Sequence, residues 1–338
     1  MNFFHHENRE SGFLYNVNAQ EAKNNFSRIA LSLVLCTTVT YAAIFVLELI
    51  LSLLGLYEKL LENIYFQWAI SLLPLYLFGM PAAYLFMRKI RPLPPKKQRM
   101  DIGEILLLFL IGRFFTLVGS YISNVLVSFA EAFLGRAITN DTGNLITQTP
   151  MWLVFITAVV LGPIMEELVY RKLIIDRLYV HGEMAAILFS SVLFSLVHGN
   201  LFQVFYAFLN GCILGLVYTR TGRIRYTIAL HMVTNFLGSI SVLSIMDAQE
   251  RLESLFEVAE FDAQYVFLSL TITGYSIARI FIALLGAAIL FKNYRKYLPN
   301  RRAMCPLPSG QGARIALLNF GAVAFFVVCV LEFTLSLF

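Results

Sequence analysis

The chain has 338 residues, of which 58% are hydrophobic, 14% aromatic and 14% charged, with a formal net charge of +5. Charged residues make up about a quarter of an ordinary soluble domain, so there are too few here to coat a soluble surface of this size. Several apolar windows exceed the ~18 residues of a spanning helix, and with neither a GxGxxG nor a Walker loop a nucleotide-dependent enzyme is disfavoured.

The first 27 residues are polar, with HHENRE and EAKNN, and place His5 and His6 in a tail. The apolar run that follows is too long for the core of a cleavable signal peptide, so an uncleaved anchor is expected. Nine apolar segments then come in order: Ile29–Leu54, Ile64–Met87, Ile102–Val125, Met151–Ile175, Met184–Leu201, Phe202–Thr221, Tyr226–Ile245, Phe267–Phe291 and Ile315–Phe338. The fifth and sixth nearly abut, which predicts a tight hairpin. The expected fold is an all-α, polytopic transmembrane helical bundle of eight to nine spans, without an internal repeat. The PLPP and PLP stretches between spans read as stiff connectors. Cys36, Cys212, Cys305 and Cys329 form no CxxC pair, and three lie in or beside spans, where a thiol is a small packing group.

Charge between the segments predicts orientation. RKIRPLPPKKQRM, RTGRIR and KNYRKYLPNRRAMCPLPSGQGAR fall on one side of the membrane, whereas only Lys59, Arg136 and Arg251 fall opposite. The positive-inside bias puts the N-terminus in the cytoplasm and the C-terminus outside. The basic loops then serve as anchors against anionic headgroups and need no nucleic-acid partner.

Carboxylates inside the fourth segment are the anomaly. GPIMEELVYRKL places Glu166, Glu167 and Arg171 in an apolar run. Unpaired, three such groups would cost roughly 8–10 kcal/mol on insertion scales. Glu167 and Arg171 are i,i+4 and share a face, so they are expected to pair. Glu166 is rotated about 100° away and its i+4 neighbour is Tyr170, so its partner must come from another helix. Two histidines lie within spans. His198 closes FSSVLFSLVH one turn after Phe194, and His231 opens HMVTN with Asn235 at i+4. An intramembrane ionisable group is a candidate functional site. Glu48, Arg113, Arg279 and Glu332 read instead as groups that pair across helices or snorkel, with Arg113 or Arg279 alternatively holding a substrate carboxylate, and NGCILG reads as a close-packing stretch.

EELVYR, FSLVH and HMVTN fit EExxxR, FxxxH and HxxxN in order, about 30 residues apart. In this the chain resembles the CAAX protease and bacteriocin-processing family (CPBP, also called Abi). The resemblance covers about Trp152 to Leu237, and the family's best understood members are type II CAAX prenyl endopeptidases, intramembrane glutamic proteases. Hydropathy and charge mark 1–28 as a cytoplasmic tail, 29–150 as N-terminal transmembrane helices and 247–338 as C-terminal transmembrane helices; the resemblance implies 151–246 as the catalytic core, with an intramembrane catalytic cavity. It assigns water activation to Glu166 and His198 and oxyanion stabilisation to His231 and Asn235. Glu167, Arg171 and Phe194 are then structural supports. The implied partners are a peptide or membrane-protein substrate and the lipid bilayer, the location an integral protein of a bacterial plasma membrane. Where the family commonly has FRG after the Glu pair, this chain has Tyr170, Arg171 and Lys172.

Two other readings stand beside this one. A zinc peptidase could use His198, His231 and a Glu as ligands, although HExxH is absent and the resemblance implies no cofactor. A non-proteolytic adaptor, an immunity protein against a peptide toxin or a proton-coupled transporter would also fit a polytopic chain, but leaves Glu166 unexplained. With straight helices, Glu166 and His231 lie toward the cytoplasm and His198 about 10 Å farther out. A break at Gly162–Pro163, or a shallow fifth and sixth hairpin, would close that gap.

Overall fold

The computed structural model describes residues 7–257, 262–299 and 303–337, with side chains from 19 to 335. His5 and His6, and Phe338 at the end of the ninth expected segment, lie outside the described residues. Every regular element among those described is helical. Helices α1 (Glu7–Leu53), α2 (Ile64–Met87), α3 (Ile102–Leu134) and α4 (Met151–His181) are followed by α5 (Glu183–Leu196) and α6 (Leu201–Thr221). Then come α7 (Ile224–Gly238), α8 (Ile240–Glu257), α9 (Ala263–Tyr297) and α10 (Phe320–Leu337).

Seven stretches among the described residues are long and apolar enough to cross a membrane, with α7 and α8 forming one of them. The protein is an all-α, integral-membrane helical bundle. The fifth and ninth expected segments are the shorter ones. At 14 residues, α5 is about 21 Å long, less than the ~30 Å of a bilayer's hydrocarbon core. The helix that carries the first span extends N-terminally well beyond Ile29, being continuous over Glu7–Leu53. Ala22, Phe26 and Ile29 are buried there at helical spacing, a stripe that the intervening Lys, Asn, Ser and Arg residues conceal in the sequence. The seventh runs past Ile245 as a polar helix, with Asp247 and Arg251 paired at i,i+4.

The chain divides into two compact units. One contains Met1–Lys96, Leu168–Asn200 and Pro299–Phe338, and the other Lys97–Glu167 and Leu201–Leu298. In the first, α1 packs against α2 and α10. The α10 contact is a close backbone approach, since a Cβ at Gly321 would collide with the Ser27 carbonyl, and Gly321 N–H donates to Ser27 Oγ at 2.9 Å.

In the second unit α3 is the central strut, packed against α6 and α9. Asp101 caps its first turn by accepting from Gly103 N–H at 2.8 Å, and Gly135, at φ 68°, ends it in the left-handed conformation. Lipid is as apolar as leucine, so helices here associate through close approach and interhelical hydrogen bonds. Both are present. Gly119 lies against the Tyr206 backbone and Gly286 against the Leu110 carbonyl. Asn210, in the NGCILG stretch, donates to Thr116 Oγ1 at 3.0 Å.

Gly286→Ala puts a methyl group into a backbone carbonyl that cannot move away. Overpacking of this kind costs about 1–3 kcal/mol, and the melting temperature of the purified protein should fall. An unchanged value would show that α3 and α9 are not held at this crossing.

Candidate functional site

The site is built on an irregularity in α4. Pro163 has no N–H, and the helix before it widens, so that Gly162 N–H reaches back five residues to Thr157 O. This is a π turn, a common adjustment at functional positions. It orphans one carbonyl. In α winding Ala158 O would accept from Gly162, which is taken; in π winding it would accept from Pro163, which has nothing to give. The Asn235 side chain fills the place, its Nδ2 donating to Ala158 O at 2.9 Å. At Gly162–Pro163 the helix is π-wound rather than broken, and Asn235 satisfies the carbonyl that this winding leaves.

That bond sets α7 against α4. One turn before Asn235, the His231 ring is buried between the two carboxylates: Nδ1 lies 3.0 Å from Glu167 Oε1 and Nε2 lies 3.5 Å from Glu166 Oε2. The structure thus brings Glu166, Glu167, His231 and Asn235 together. Val154, Val159 and Ile240 are buried beside Ala158 and back this face of α4 with carbon.

The two carboxylates are unequal. Glu167 is fully buried (0% exposed) and hydrogen-bonded to the ring, whereas Glu166 is 30% exposed and its contact is the looser one. A neutral imidazole carries one N–H and one lone pair. The shorter contact places an N–H on Nδ1, donating to Glu167, and turns Nε2 toward Glu166. To donate to both carboxylates the ring must carry both protons. Either way Glu167 orients the imidazole, and Glu166 keeps free oxygen surface. Tyr206, half-buried on α6, stands close enough to Glu166 to feel its charge.

The remaining candidates belong to the first unit. His198 follows α5 in a turn whose next residue, Gly199, has φ 65°. Its Nδ1 lies 2.8 Å from Phe194 O. A carbonyl can only accept, so Nδ1 carries the proton and Nε2 presents a lone pair. Phe194 meets the His198 ring edge-on at 5.0 Å and the Tyr170 ring at 5.1 Å, and the Arg171 guanidinium lies 5.1 Å from its centroid. Arg171 is fully buried and donates to Ser190 Oγ at 3.2 Å.

Besides the pairing expected of Glu167 with Arg171, Glu167 bonds the His231 ring, and Arg171 engages Ser190 and Phe194. Helical spacing suggests neighbours one turn away and is blind to a ring 64 positions along the chain. Tyr206 gave no sequence signal at all. Of the other intramembrane charges, Glu48 accepts from Tyr57 Oη at 2.8 Å and Glu332 from Tyr41 Oη at 3.3 Å. No group of three or more His, Cys, Asp or Glu side chains among the described residues is placed to hold a metal ion.

Comparison with known proteins falls on this region. Residues 147–237 match the family described as type II CAAX prenyl endopeptidase Rce1-like. The membrane-embedded CAAX protease MroQ of Staphylococcus aureus (strain USA300) is 27% identical over 207 residues, 57% of this chain and 81% of MroQ. YdiL of Bacillus subtilis (strain 168), named as a membrane peptidase, is 30% identical over 139 residues, 41% of this chain and 57% of YdiL. No solved structure matches the chain significantly.

Replacing Asn235 by Ala returns Ala158 O to its orphaned state. An unmet hydrogen bond of this kind costs about 1–3 kcal/mol, so the melting temperature should drop, as it should for Asn235→Asp, which lacks the donor. Equal melting of Asn235→Ala and the parent protein would remove the amide from the α4–α7 contact.

Proposed function

From its membership of the CPBP/CAAX-protease family, we propose that this chain is an integral-membrane endopeptidase that hydrolyses peptide bonds at or in the bilayer through water activated by Glu166. The observation that carries the reading is the inequality of the two carboxylates around one imidazole. Glu167 fixes the ring, and Glu166, with open oxygen surface beside it, is the one that can reach a water molecule. The names of MroQ and YdiL, a protease and a peptidase of membranes, support the same class.

In the reaction Glu166 accepts a proton from water as the oxygen attacks the peptide carbonyl carbon. The carbonyl oxygen gathers negative charge, the C–N bond then breaks, and the proton passes on to the leaving nitrogen. In this role His231 carries both ring protons: Nδ1–H is held by Glu167, and Nε2–H turns toward the developing oxyanion. Asn235 has a second amide hydrogen beyond the one given to Ala158 O, and that hydrogen is the other oxyanion donor. Such donors act in the transition state and are commonly worth about 2.7–4 kcal/mol. His198 shares water activation with Glu166, a role resting on its motif and on the lone pair left at Nε2. The chemistry uses no metal. Substrates are peptides or membrane proteins; the location is a bacterial plasma membrane, with the N-terminus in the cytoplasm.

Comparing membrane peptides in cells with the parent protein and with Glu166→Ala identifies a cleaved substrate. On that substrate, Glu166→Gln should keep the fold and abolish turnover, because an amide does not take a proton from water at neutral pH; general-base assistance alone is worth about 10²–10⁴. Full activity of purified Glu166→Gln would refute the glutamic mechanism. In the Asn235→Ala protein that does fold, kcat should fall about 100-fold or more with little change in KM, whereas normal turnover would leave Asn235 a structural residue only.

Chelation separates this mechanism from a zinc enzyme. Activity should survive thorough treatment with a strong chelator, and elemental analysis should find no stoichiometric zinc. One zinc per chain, lost together with activity and restored with it, would overturn the metal-free mechanism.

A further inference from the structure

Two arginines in the second unit remain unexplained by the peptidase chemistry. Arg113 lies on α3 and Arg279 on α9; the Glu104–Lys296 ion pair at 3.4 Å and the Gly286–Leu110 crossing set these helices antiparallel, so both arginines lie on the same side of that crossing, within each other's field. Arg113 has a buried Nη1 without a hydrogen-bond partner. Arg279 stacks on Tyr275, its guanidinium 5.6 Å from the ring centroid. Among the described residues neither is paired with a carboxylate. Glu48, Glu166, Glu167 and Glu332 each have a donor of their own.

The surroundings of Arg279 are also unusual. Leu268, Ala283 and Gly286 are buried on α9, and at i−11, i+4 and i+7 they share a helical face with Arg279. That face packs on α3 at Gly286 and Leu110. Arg279 itself is exposed, while Arg113 and Tyr275 are half-buried.

Depth decides what could enter. From Arg279 to Lys292, where the basic end of α9 begins, is 13 residues, or about 20 Å of helix. Toward the other end, Asp262 is 17 residues away, about 25 Å. Arg279 therefore lies near the middle of a ~30 Å hydrocarbon layer, too deep to snorkel to either surface. A phospholipid phosphate stays at the interface. A carboxylate on another transmembrane helix sits at any depth its sequence dictates.

We propose that Arg113 and Arg279 form an intramembrane binding site for the carboxylate of an Asp or Glu near the middle of another protein's transmembrane helix. Two guanidinium groups give such a carboxylate a charge-assisted, multidentate seat. A carboxylate in hydrocarbon gains more from it than one in water. The site stands apart from the Glu166 chemistry and does not depend on it.

The test uses the full chain in phosphatidylcholine vesicles and synthetic leucine–alanine peptides of about 24 residues, long enough to span. Association is read by energy transfer between labelled peptide and protein. A peptide with one central Glu should bind about tenfold or more tightly than its Gln analogue or a peptide with Glu one turn from its end, the scale of a charged hydrogen bond. Arg279→Gln and Arg113→Gln should each remove that preference, and Arg279→Lys should restore part of it. Should Arg113→Gln fail to fold, the exposed Arg279 carries the result. Equal binding of Glu and Gln peptides, or an unaltered preference in Arg279→Gln, overturns the site. Displacement of the central-Glu peptide by phosphatidylglycerol also overturns it, by assigning the arginines to lipid.

Discussion

Proline at position 163 removes one amide proton from the middle of a span, and hydrocarbon holds no water to replace it. The organisation of the candidate site follows from that deficit. Widening of α4 gives the Gly162 N–H to Thr157 and leaves the Ala158 carbonyl facing outward. A side-chain amide on α7 supplies the missing donor. Because His231 precedes Asn235 by four residues, it leaves α7 on the same face and reaches the two carboxylates that α4 presents beyond the proline. A π-wound stretch in one helix thus fixes the register of another.

The imidazole between Glu166 and Glu167 illustrates how such a bilayer protein can hold two adjacent acids. Side by side on one helix they diverge by about 100°, and a single flat ring with nitrogens on two edges can address both. The arrangement is lopsided by burial: Glu167 lies wholly inside protein, while Glu166 keeps an accessible edge. Position in the chain makes the two equivalent, and packing makes one a support and the other a reagent. Glu48 and Glu332 follow the simpler rule and take a tyrosine hydroxyl each.

Much of this was legible in the sequence, for reasons that vary by residue. Ile64–Met87 was readable to the residue because a connector rich in Pro and Lys follows it. The seventh span was cut short because composition marks where hydrocarbon ends, whereas the α8 helix continues through polar residues into water. Glu166, His198, His231 and Asn235 stood out because ionisable and amide groups are costly in apolar segments. Their partners did not. The Glu167–His231 bond joins residues 64 apart, and the Asn235–Ala158 bond depends on a carbonyl orphaned by backbone winding, which no side-chain pattern records. The stacking of Phe194 on His198 was readable, being one turn along a single helix.

The irregular part of α4 packs on α7, and α3 is the rigid element of the same unit. It is long, capped at both ends and locked to α6 where Gly119 meets the Tyr206 backbone and where Thr116 and Asn210 bond. Tyr206 is the residue that feels the charge of Glu166. Arg113 lies six residues before Gly119 on the same strut, about 9 Å along its axis. A tilt of α3 that changes its approach to the Tyr206 backbone at Gly119 also bears on the crossing of α9 at Gly286. Backbone-to-backbone contacts leave no soft side chain to absorb such a shift.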